Sequence, residues 1–78
     1  MQLRADQDAD AIYIRLRDMP YDHGHDLDPE RRIDFAADGE PIGVELLCVS
    51  QGVDVTDLPP QIISLLQANG IKLTAVRR

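Results

Sequence analysis

The chain has 78 residues, 44% of them hydrophobic and 28% charged, and a formal net charge of −6. That length admits one domain with a core worth roughly 3–5 kcal/mol net, which leaves oligomerisation or a lasting partner open on physical grounds. The composition excludes a disordered chain, and the acidic balance argues against direct nucleic-acid binding and for a protein partner with a basic surface. Between Asp18 and Glu40 eight acids stand against Arg31 and Arg32 alone, whereas Lys72, Arg77 and Arg78 make the C-terminal end locally basic. No apolar run approaches the roughly 18–20 residues of a membrane span, and the first residues lack the apolar stretch of a signal peptide. The single cysteine, Cys48, cannot close an internal disulfide. The expectation is a cytoplasmic protein that uses no cofactor and engages neither membrane nor nucleic acid.

Met1, Leu3 and Ala5 alternate with Gln2 and Arg4, which predicts a short half-buried strand. Asp6-Gln7-Asp8-Ala9-Asp10 is a polar turn, since Asp side chains bond nearby backbone amides. From Ala11 to Arg17, Ile12, Ile14 and Leu16 face one way and Tyr13, Arg15 and Arg17 the other, the clearest strand in the chain. Asp18 to Glu30 holds Pro20, Gly24, Pro29 and five acids. It reads as a loop with a short edge strand near His25 to Leu27. Arg32 to Ser50 then forms a hairpin about a tight Asp38-Gly39 turn. Ile33 and Phe35 point to the core on the way out. On the return Ile42, Val44, Leu46 and Cys48 share one face and Gly43, Glu45, Leu47 and Val49 the other, with Pro41 at the strand's first position.

Gln51 to Thr56 is a connector. A helix is predicted over 57–69, with Asp57 as its cap and Pro59 and Pro60 in the first turn. Ile62, Leu65, Leu66 and Asn69 form its stripe, widened by Ile63, and Asn69-Gly70 ends it. Ile71, Leu73 and Ala75 alternate again, so residues 71–78 are a terminal strand or a tail. Assembled, residues 1–78 make one α+β domain. Residues 1–50 give a small antiparallel sheet of hairpins, and a single C-terminal amphipathic helix covers one of its faces. The opposite face carries Tyr13, Arg15, Asp34, Glu45, Leu47 and Val49, with Arg15 placed to pair with Asp34 or Glu45. Of these, Tyr13, Arg15, Glu45, Leu47 and Val49 are the candidate surface for self-association or partner docking.

Five features invite a chemical reading. Asp6-x-Asp8-x-Asp10 resembles the start of a calcium loop, but Ala11 and Arg17 stand where such a loop needs Gly and Glu, so the turn reading is preferred. His23 and His25, flanked by Asp22, Asp26 and Asp28, are weak candidate metal ligands; two solvated histidines in an acidic loop are the commoner arrangement. Cys48, in phase with Ile42, Val44 and Leu46, is read as core rather than as a nucleophile. Asp34 and Glu45 are a paired-carboxylate candidate better read as a surface network with Arg15. Gly43 marks a bulge or admits close approach of another backbone or an aromatic ring.

Two blocks carry a family resemblance. Asp8-Ala9-Asp10-Ala11-Ile12-Tyr13-Ile14-Arg15-Leu16 is similar to "D-x-x-A-D-A-L-Y-I-x-L". Ile33-Asp34-Phe35-x-x-Asp38-Gly39-x-x-Ile42-Gly43-Val44-Glu45-Leu46-Leu47 is similar to "V-D-Y-D-x-x-G-x-V-V-G-I-E-I-L". Both motifs belong to domain of unknown function 2283, a mostly bacterial family, which the chain resembles from Asp6 to Ser50. Phe35 stands where Tyr is common and Val44 where Ile is; the stretch from Leu58 to Arg78 lies outside the motifs. The resemblance implies a compact antiparallel sheet and no catalytic residue. The occurrence of some members beside toxin-like proteins suggests an antitoxin-like role. The expected function is a non-enzymatic protein-interaction module, with a self-associating homodimer and weak metal binding through the loop Asp22 to Asp28 as alternatives.

Overall fold

Period-two alternation makes the first two thirds of the chain a sheet. In the computed structural model, which describes residues 1–74, the strands are β1 (Gln2–Asp6), β2 (Ala11–Arg15), β3 (His23–Asp28), β4 (Arg31–Phe35) and β5 (Pro41–Leu47). They form one antiparallel sheet in the order β1-β2-β5-β4-β3, so the most apolar strand lies in the middle and two polar strands form the edges. Register places Ile12 opposite Leu46, and Val44 between Ile14 and Ile33. These five residues are buried on one face, where Val53, Leu58, Ile62 and Leu66 close over them. Each such buried aliphatic side chain contributes about 1.5–3 kcal/mol.

The covering helix, α1 (Pro60–Ala68), begins at a proline that has no amide to leave unpaired. Its cap is Pro59, with no side-chain hydrogen bond, and Asp57 lies two residues earlier at φ 65. The expected Asp57 cap is therefore absent: the Pro59-Pro60 pair sets the start instead, and Ile62 N–H donates to the Pro59 carbonyl at 2.9 Å. The end is as expected. Gly70, at φ +69, donates to Gln67 O and Ile71 donates to Leu66 O, the paired bonds of a Schellman motif. Ile71 is then returned to the core.

Beyond the helix, β7 (Leu73–Thr74) lies parallel to β6 (Val53–Asp54). Of the two expectations for residues 71–78, the strand holds over those two residues; Ala75 and the rest lie outside the described residues. Arg31 fastens this C-terminal unit to the sheet. Its guanidinium donates to Asp28 Oδ2 at 2.7 Å and to the carbonyls of Asp54 and Thr56 at 2.8 and 2.6 Å.

Three other local expectations are corrected. The edge strand β3 is twice as long as foreseen, with a register shift between Asp26 and Asp28. The hairpin loop is wider than a two-residue turn: Ala36 N–H bonds Glu40 O and Gly39 N–H bonds Ala36 O, with Gly39 at φ +83. Cys48 leaves the strand alternation. It adopts φ 56 at the start of a 3-10 turn over Val49–Gln51 and is half-buried rather than core. Asp10 stabilises that turn, accepting from Ser50 N–H at 2.9 Å and from Ser50 Oγ at 2.7 Å.

Candidate interaction face

The helix covers one side of the sheet, so the pleat of each strand decides which residues meet the other side. On β5 these are Gly43, Glu45 and Leu47; on β2 they are Tyr13 and Arg15; on β4, Arg32 and Asp34. Register aligns Arg15, Gly43, Asp34 and Gly24 in one row across four strands. Asp34 thus stands between two glycines, and a large side chain lies over each of them.

A Cβ added at Gly43 would overlap the Tyr13 hydroxyl, and one added at Gly24 would overlap the Arg32 guanidinium. Lying flat over those gaps, both groups reach Asp34. Tyr13 donates to Oδ2 at 3.0 Å, and Arg32 Nε donates to Oδ1 at 3.3 Å. Arg32 also donates to Asp26 Oδ1 at 2.9 Å and to the Tyr21 hydroxyl at 3.2 Å. Burial and then the hydrogen bond to Asp34 push the Tyr13 phenol above its ordinary value. Hydrogen bonds to Tyr21 and Asp26 hold Arg32 further above the usual guanidinium range. The result is a flat, cross-linked polar surface.

The sequence-derived surface residues divide. Tyr13, Arg15, Glu45 and Leu47 share the uncovered face, with Leu47 37% exposed and Glu45 opposite Tyr13 on one side and Arg32 on the other. Val49 does not join them: it lies in the 3-10 turn and packs against the core. Asp34 pairs with Arg32 rather than with Arg15, one of the two alternatives read from the sequence for Arg15. At the β1 side, Arg4, Ala5, Tyr13, Glu45 and Leu47 border a shallow, open groove. Sequence reasoning missed Tyr21, Gly24, Asp26 and Arg32 as parts of this face. The available signal was the pair of glycines, each a gap in a strand for a neighbour to fill.

The other candidate sites come apart. His23 stacks on Phe35 with ring centroids 5.1 Å apart, and its Nδ1 is 2.7 Å from Asp22 Oδ2. His25 shares that side of the strand, opposite Ile33, whereas Asp26 points to the uncovered face with Arg32. The pleat therefore separates the suggested ligands, and among the described residues no group of three or more His, Cys, Asp or Glu side chains is placed to hold a metal ion. Asp6 accepts from Ala9 N–H at 3.1 Å, as a turn residue does. Hydrogen bonding to Glu30 pushes the Cys48 thiol up, away from thiolate chemistry. Among the described residues no helix is long and apolar enough to cross a membrane.

Fold and face together define a small α+β protein whose antiparallel sheet is, among the described residues, roofed on one side. Residues 6–50 match the model of the family described as protein of unknown function (DUF2283), more than half of the chain, and the chain belongs to that family. No curated protein and no solved structure matches it.

Proposed function

We propose that this protein is a non-enzymatic interaction module that takes a protein partner with a basic surface on the uncovered face of its sheet. The observation that carries the reading is the pinned Tyr13–Asp34–Arg32 network over Gly43 and Gly24. A flat surface whose side chains are already ordered loses little conformational entropy on docking. The net charge of −6 supports a partner of opposite sign, which would be steered toward the chain at long range. Antitoxin-like neutralisation of such a partner is the role we assign to it. Co-expression with the protein encoded beside it, followed by sizing of the purified mixture, tests the reading. The expected result is a complex that weakens with added salt and is lost in Leu47→Glu and Glu45→Arg. No complex, or one indifferent to both changes, would overturn it.

A further inference from the structure

We propose that strand β1 pairs with β1 of a second copy of this chain, antiparallel and centred on Ala5, extending the sheet across a homodimer. This surface is the sheet edge, separate from the face of the previous section. The two edges of the sheet are not alike. β3 contains Gly24, has a register shift between Asp26 and Asp28, and carries both of those acids, the usual devices that blunt an edge. β1 is five residues long, Gln-Leu-Arg-Ala-Asp, regularly paired along its whole length, and has no proline, glycine or bulge.

The hydrogen-bond phase shows which groups that edge offers. Leu16 N–H donates to Ile42 O at 2.8 Å, so the even-numbered residues of β2 turn their backbone groups toward β5 and the odd-numbered ones toward β1. Through the register Gln2–Arg15, Arg4–Tyr13 and Asp6–Ala11, the backbone groups of Gln2, Arg4 and Asp6 are taken by β2. Those of Leu3 and Ala5 point outward. A second β1 can therefore bond there only in registers that oppose odd residues to odd residues.

Side-chain charge selects among those registers. Pairing centred on Arg4 would set two Arg4 side chains face to face. Pairing centred on Ala5 sets Arg4 opposite Asp6 of the second copy, twice by symmetry, with both side chains on the uncovered face. Arg4 and Asp6 are exposed and Leu3 is half-buried against the core, so the second strand would also cover the open flank of Leu3.

Sedimentation equilibrium across a concentration series tests this on the full chain. Wild type is expected to approach twice the chain mass of 8.7 kDa. Ala5→Pro, which removes an outward N–H that the fold does not use, is expected to sediment as the monomer with an unchanged circular dichroism spectrum. Arg4→Glu is expected to weaken the dimer, while Arg4→Lys and Leu47→Glu keep it. A wild type that stays at 8.7 kDa throughout, a dimer that survives both Ala5→Pro and Arg4→Glu, or one tightened by Arg4→Glu would overturn the proposal.

Discussion

The hydroxyl of Tyr13 lies over Gly43, in the volume a Cβ at position 43 would fill, and from there donates to Asp34 Oδ2 at 3.0 Å. Gly43 is thus a gap for an aromatic side chain, and it also adjoins a bulge. Asp34 pairs with Gly43 and Phe35 with Pro41, which leaves Ile42 as the extra residue on β5, so both readings open in the sequence meet at this position. Gly43→Ala is expected to lift Tyr13 off the sheet and cost about 1–3 kcal/mol in urea unfolding. In a Tyr13→Ala background the same change should cost much less, since the clash has gone. Additive losses would contradict this packing.

Arg31 is 11% exposed at its side chain and bonds two carbonyls that lead into the helix. Replacing it by Met keeps the bulk but leaves those acceptors without their charged donor. The expected loss is about 2–3 kcal/mol in denaturant unfolding, with faster amide exchange over residues 53–57. Arg31→Lys should recover part of it, because one ammonium cannot span the same acceptors.

Acid should destabilise the fold through Asp38 and Asp28. The Arg17 guanidinium holds the Asp38 carboxyl below its usual range, and for Asp28 the bonds from Arg31 and Glu30 N–H outweigh the opposing effect of burial. Depressed folded values mean that this stability is complete above the unfolded carboxylate value of about 3.9 and is lost as pH falls through the lower folded values. Melting temperature is therefore expected to fall on acidification below about pH 4, less steeply in Asp28→Asn and Asp38→Asn. Tyr13 acts at the other end: its raised value means stability is lost as pH rises above about 10.

Gly70 and Gly39 have nothing within 4 Å of an added Cβ, yet both adopt positive φ. Alanine at either is expected to cost about 1 kcal/mol from backbone conformation alone, with asparagine costing less. Urea midpoints of the four variants check this ordering.

The covered half of the molecule was legible in the sequence because its signal is local. Ile12-Ile14 and Val44-Leu46 alternate where strands form, and Asn69-Gly70 marks the helix end that is observed. The strand β3 was hidden because an acidic edge has little apolar alternation, and its pairing depends on β4. Cys48 kept the phase of β5 in sequence, but a left-handed residue supported by Asp10 and Ser50, 40 positions apart, breaks that phase in space. The Arg15–Asp34 alternative failed for a similar reason. The register sets the whole of β5, at Gly43, between those two residues, and Asp34 is bonded instead by Arg32, two residues away on its own strand.

The measurement that most directly tests a sheet roofed on one side compares two neighbours on β5. Leu46 is 1% exposed beneath the helix and Leu47 is 37% exposed on the opposite face. In urea unfolding, Leu47→Glu is expected to stay within about 0.5 kcal/mol of wild type, and Leu46→Glu to be unfolded. A Leu46→Glu chain that folds, or a Leu47→Glu chain that does not, would contradict the account.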